Sequence, residues 1–145
     1  VDRIECYAPE GPSEINRTVK TRRLQRFFRN AILANYENRC ALTGIAVPQL
    51  LVASHIIPWS ESEERRADPT NGLCLNAFHD KAFDRHLITF DEDYRLVVSS
   101  SLKMDSTPEF QSSSFAKIEG TALALPHRFS PDLLALEEHR NSFIP

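Results

Sequence analysis

The chain is short of the features that would place it in several large classes. Its three cysteines, Cys6, Cys40 and Cys74, are an odd number with no paired CxxC spacing. That argues against a disulfide framework and for reduced thiols, as in a cytoplasmic protein. No apolar run approaches the ~18 residues needed to cross a bilayer, and the start carries no signal-peptide pattern, so no membrane association is expected. Basic charge is not in excess, since 17 Lys and Arg stand against 20 Asp and Glu for a net charge of −3. A general cationic coat for nucleic acid is therefore absent, and only a locally segregated patch could do that work. There is no internal repeat, and the chain does not begin with Met, which we read as a domain cut from a longer protein. What remains is ordinary for a globular fold. The 145 residues, 41% hydrophobic and 26% charged, are enough for one domain with its own core.

Residues 1–18 hold two prolines and a glycine without sustained periodicity and read as an arm or linker, leaving 19–145 as the domain. The spacing predicts a helix over 20–36, with Leu24, Phe27, Phe28, Ala31 and Ile32 in one apolar stripe. Arg22, Arg23, Arg26 and Arg29 fall largely on the other side. Between Ile15 and Tyr36 there are six cationic residues and no acidic one. This is the segregated charge that the overall balance hides. It is either a solvated helix face or a phosphate-contacting one, for which arginine geometry is suited.

Further along, residues 50–57 and 72–75 read as strands on either side of a charged loop, followed by a helix over 77–85 with Asn76 as its N-cap. Residues 87–90 and 94–99 flank Asp91-Glu92-Asp93 and read as a hairpin. The serine-rich stretch 99–114 reads as a flexible excursion. Residues 131–141 read as a last helix, opened by Pro131 after Ser130.

Chemistry concentrates between Val52 and Asp84. His55 ends an apolar strand, placed to take a proton from water. Asn71 opens the second strand after the long loop, where its amide can bond backbone on both sides. On the following helix Phe78, His79, Ala82 and Phe83 share a face, so His79 is the one polar side chain there. A lone imidazole in that position is either a satisfied core histidine or a metal ligand. His127 and His139 read as surface or capping histidines.

The runs Cys40-Ala-Leu-Thr-Gly44, Ala53-Ser-His-Ile-Ile-Pro58, Asp68-Pro-Thr-Asn-Gly-Leu73 and His79-Asp-Lys-Ala-Phe-Asp84 resemble the HNH endonucleases, in the branch found in restriction and other prokaryotic defence proteins. The resemblance covers about 24–99, and the closing Glu138-His-Arg-Asn-Ser-Phe143 shares it. It implies an α+β domain with a ββα-metal core, decorated by an N-terminal amphipathic helix, an extra hairpin and a C-terminal helix. It also implies His55 as general base, Asn71 as the structural middle residue and His79 as the ligand of one divalent metal, Mg²⁺ or Mn²⁺.

Three positions depart from that pattern. Ser54 stands where many members carry an acidic metal ligand. Thr43 stands where a second zinc thiolate would be, and there is no second cysteine pair, so no structural zinc is expected. His86 stands where a glycine commonly ends the helix, a position at which His tolerates a left-handed backbone better than most. Asp80 and Asp84 could assist the metal, although pairing with Lys81 or facing solvent is the plainer reading.

The resulting expectation is a metal-dependent endonuclease acting on DNA, with Arg22, Arg26 and Arg29 contacting phosphates. Target choice would lie in a recognition domain or partner outside this chain. The alternatives are a non-catalytic DNA-binding module of the same fold and an RNA-cleaving nuclease. The pattern sets no oligomeric state.

Overall fold

The computed structural model describes residues 12–145, with side chains from residue 15 onward. Residues 1–11 of the expected arm lie outside the described residues. Helix α1 spans Pro12–Asn35, so it begins before the expected start at 20 and takes in the rest of that arm. Its core-facing residues are Phe28, Ile32, Leu33 and, just past its end, Tyr36. Phe27 of the expected stripe is 59% exposed instead. The reason is placement, since none of residues 15–27 is buried and only the C-terminal half of α1 lies on the sheet.

Strands β1 (Leu51–His55) and β2 (Gly72–Asn76) pair antiparallel, from Leu51 opposite Asn76 to His55 opposite Gly72. Every residue of β2 is buried, with α1 and the next helix packed against it. Helix α2 (Ala77–Asp84) follows without a linker, because Asn76 ends the strand and caps the helix together. Its Oδ1 accepts from the backbone N–H of Phe78 and of His79, both at 3.0 Å. The result is an α+β domain built on a ββα unit.

A second hairpin, β3 (Ile88–Phe90) with β4 (Leu96–Val98), adds Ile88, Phe90, Leu96 and Val98 to the same core. Its turn is set by Asp91, whose side chain accepts from the N–H of Asp93 at 2.8 Å and of Arg95 at 2.9 Å. His86 has φ +60°, the left-handed conformation anticipated at that helix end. Each fully buried large apolar side chain here contributes roughly 1.5–3 kcal/mol.

Three expectations are corrected. The stretch 99–114 is no structureless excursion, because it carries helix α3 (Glu109–Ser114). Phe110 packs its ring on Phe78 at 5.2 Å, and Phe115 follows directly into the core. Helix α4 spans Leu133–Asn141 and is capped by Asp132, not opened by Pro131, whose carbonyl accepts from the Tyr94 hydroxyl. His139 on α4 is likewise no surface residue. It is 4% exposed, its Nε2–H donates to the Phe83 carbonyl at 2.9 Å, and its Nδ1 accepts from the Thr89 hydroxyl at 2.8 Å. Burial pushes its pKa down to about 4, so it is neutral in the folded protein at pH 7.

Gly72 is where α1 meets the first hairpin. A Cβ there would lie 2.5 Å from Ile32 Cδ1 and 2.6 Å from Phe28 Cζ. Both side chains are fully buried and have little room to yield. Gly72→Ala should therefore destabilise the fold by about 1–3 kcal/mol, as overpacked cores do. A lower urea midpoint at unchanged slope is the measurement.

Candidate active site

His55, the last residue of β1, is held on several sides. Its Nε2 lies 3.0 Å from the Arg66 carbonyl oxygen. A carbonyl can only accept, so Nε2 carries the proton, and in the neutral ring the lone pair is on Nδ1. The ring stacks on Phe28 at 3.8 Å with planes 9° apart, and the edge of Trp59 lies 5.8 Å away. Burial lowers the pKa of His55 below its ordinary value, against the Arg66 carbonyl and the charge of Asp80, which raise it. The neutral form, which a base requires, is thereby favoured near pH 7.

The loop that supplies the Arg66 carbonyl is tied down by Asn71. This side chain is 1% exposed. Its Oδ1 accepts from Ile57 N–H at 2.9 Å, and its Nδ2 donates to the carbonyls of Ile57 at 3.0 Å and Arg65 at 3.3 Å. Its own carbonyl accepts from Ile56 N–H. Two points of the loop, two residues after His55 and immediately before Arg66, thus hang on one amide. Arg66 is held as well, through Nε to the Trp59 carbonyl at 2.8 Å, with its guanidinium over the Trp59 ring at 4.8 Å.

His79 occupies a different environment from the one expected. It is 4% exposed, and both ring nitrogens are engaged. Nε2–H donates to the Ser114 carbonyl at 2.8 Å, and Nδ1 accepts from Asn76 Nδ2 at 2.9 Å. Phe78 and Phe115 meet its ring edge-on. As folded, His79 has no lone pair free for a metal and is a satisfied core histidine, which corrects its assignment as a ligand.

The residue beside it, Asp80, faces β1. Its carboxylate lies near enough to the Ser54 hydroxyl for that group to favour its charged form, and near enough to Asp84 and His55 to feel their charges. Burial raises its pKa above the usual carboxylate range, partly offset by the Ser54 hydroxyl. Asp80 is the functional candidate that sequence reasoning set aside, and its signal was the missing acid at Ser54 next to the base. Among the described residues no group of three or more His, Cys, Asp or Glu side chains converges as a metal cage.

The donors that are present, one carboxylate and one hydroxyl with Asp84 a helical turn away, fit an oxygen-seeking ion of the Mg²⁺ or Mn²⁺ kind. Such ions are held through one or two carboxylates and complete their shell with water and substrate oxygens. They do not make a structural zinc site, which takes four Cys and His ligands.

The three arginines separate. Arg22 and Arg26 are exposed on α1. Arg29 donates through one guanidinium nitrogen to the Leu51 carbonyl at 2.6 Å and through the other to the Pro48 carbonyl at 2.9 Å. Its place in a phosphate-contacting set is corrected, because it fastens α1 to the start of β1.

Residues 40–91 match the family model described as HNH endonuclease. None of the curated proteins matches the chain. Among solved structures, a modification-dependent TagI restriction endonuclease is similar, with a TM-score of 0.52 and 18% identity over 77% of this chain. At that identity the likeness concerns the fold. This chain spans 35% of that neighbour's length.

Proposed function

We propose that this chain, whose residues 40–91 match the HNH endonuclease family, hydrolyses phosphodiester bonds in DNA with the aid of one divalent metal. The observation that carries this reading is the state of His55. Its Nε2–H is fixed on the Arg66 carbonyl, leaving a basic Nδ1 on a ring near enough to the Asp80 carboxylate to feel its charge. His55 takes the proton of the attacking water at Nδ1, an effect worth roughly 10²–10⁴-fold. Asn71 holds the loop whose carbonyl sets the tautomer. Asp80 and Ser54 would hold the metal, which when bound neutralises charge developing on the phosphate and on the leaving oxygen.

The departure at Ser54 is answered on this reading. The acid missing from β1 is supplied by Asp80 across the gap, beside the Ser54 hydroxyl. This favours a working nuclease over a module that keeps the fold for DNA binding alone. Too few side chains surround the base to read a sequence in a DNA groove. We therefore assign target choice to a further domain or partner, as in a restriction enzyme. The greater length and modification dependence of the TagI neighbour support that assignment.

Supercoiled plasmid incubated with Mg²⁺ or Mn²⁺ should be nicked, and EDTA should stop the reaction without unfolding the protein. Binding without nicking in either metal would mark a DNA-binding module, and cleavage of tRNA in preference to plasmid would mark a ribonuclease. Arg22 and Arg26 give a second measurement. Changing both to Gln should lower the slope of log K against log salt by about 0.9 per lost contact on duplex DNA, whatever its sequence. An unchanged slope would return them to an ordinary solvated face.

A further inference from the structure

We propose that Phe28 is a positioning residue that fixes the ring plane of His55, so that the base of the central motif depends on a helix outside it. This rests on the assignment of His55 as the general base. The hydrogen bond from Nε2–H to the Arg66 carbonyl fixes one point of the imidazole and leaves the ring free to swing about the N···O axis. A base whose lone pair swings is in line with water only part of the time, and a displacement near 1 Å can cost about 10²-fold in rate.

The missing constraint is a wall. Phe28 lies face to face with the imidazole at 3.8 Å, with planes 9° apart, and is itself 1% exposed. What holds Phe28 there can be traced residue by residue. His55 pairs with Gly72 across the β1–β2 rung, and Gly72 has no Cβ, so the tip of Phe28 reaches the backbone opposite the base. Ile32, one turn along α1, occupies the same close approach. Arg29, between them, fastens the helix to the carbonyls of Pro48 and Leu51, which keeps Phe28 from sliding along the hairpin. Phe28 and Ile32 therefore converge on one rung of the sheet, and Arg29 fastens the same helix at the other end of β1. None of them belongs to residues 40–91, the stretch matched by the family model.

Phe28→Leu keeps an apolar side chain but removes the planar face. Ile32→Val is the control, because Ile32 shares the contact with Gly72 and does not stack on His55. Two measurements on the intact chain decide the matter. In side-chain ¹³C relaxation, wild type and Ile32→Val should show the His55 ring as rigid as the backbone, with Nε2 protonated. Phe28→Leu should keep that tautomer and show a ring that moves on the nanosecond scale.

In cleavage, Phe28→Leu should lower kcat by about tenfold or more with KM changed less than about twofold, while Ile32→Val leaves both near wild type. Melting curves place the two variants on one stability scale, and Phe28→Met serves if the leucine variant does not fold. An equally rigid His55 ring in the Phe28 variant, with kcat equal to that of the Ile32 control, overturns the proposal. The relaxation measurement needs no activity. If the ring loosens as stated but wild type cuts no nucleic acid, the nuclease reading fails and the placement of His55 by Phe28 stands.

Discussion

Replacing His55 with alanine should lower plasmid cleavage by at least about 10²-fold while leaving the fold and DNA binding close to wild type. The expectation of a large kinetic effect follows from tautomer and access together. Nε2 is spent on the Arg66 carbonyl, so Nδ1 is the only basic atom the ring can offer, and His55 is the histidine whose charge acts on Asp80.

The small structural effect follows from where the energy of this region resides. The loop is held by Asn71, through bonds to Ile57 and Arg65 that do not pass through His55. Asn71→Ala should accordingly do the opposite and unfix the loop, because a buried amide bonded to three backbone groups is removed and its partners are left unpaired. Undiminished cleavage by His55→Ala would remove the base from the proposed mechanism. A melting temperature that falls as far as that of Asn71→Ala would recast His55 as structural.

The sequence revealed most where the chemistry is local. Asn76 as a cap, Asp91 as a turn former and a left-handed backbone at His86 each depend on a few neighbouring residues, and each is found. The hairpin register puts His55 at a strand end beside Asn71, as the order of motifs suggested. What the sequence hid is long-range. Arg29 looked like part of a cationic face because its partners are the backbone carbonyls of Pro48 and Leu51, about twenty residues on, which no helical spacing announces.

The serine-rich stretch 99–114 looked flexible by composition, yet the Ser114 carbonyl ends on His79 and Phe110 on Phe78. His79 is the instructive case. Helical spacing puts it on the packed face of α2, where it is found, and leaves core histidine and ligand both open, the ligand role being what the family resemblance implied. Burial and ligation make opposite demands, since a ligand must keep a lone pair facing a cleft, and His79 has given both nitrogens to the interior. One residue further along the helix, about 100° around it, the side chain turns to β1 instead.

Asp80→Asn should therefore abolish most Mn²⁺ binding and lower cleavage by at least about 10²-fold, the scale expected when several kcal/mol of charge stabilisation are lost. It should not destabilise the protein. Burial raises the pKa of Asp80, which means that its ionised form is disfavoured in the folded state relative to the unfolded chain at neutral pH. An amide of the same shape removes that cost and keeps an oxygen for the Ser54 hydroxyl, so the melting temperature should hold or rise. A stabilised but inactive protein is what a site kept for function predicts.

His79→Ala should show the reverse pattern. Two buried hydrogen bonds and a ring between Phe78 and Phe115 are lost, so stability should fall by about 1–3 kcal/mol. The molecules that remain folded should bind Mn²⁺ with wild-type affinity. Calorimetric titration of both variants, read with their melting curves, separates the two carriers. Metal affinity lost in His79→Ala and kept in Asp80→Asn would return the ion to the histidine and require α2 to turn on binding, breaking the bonds from His79 to Ser114 and Asn76.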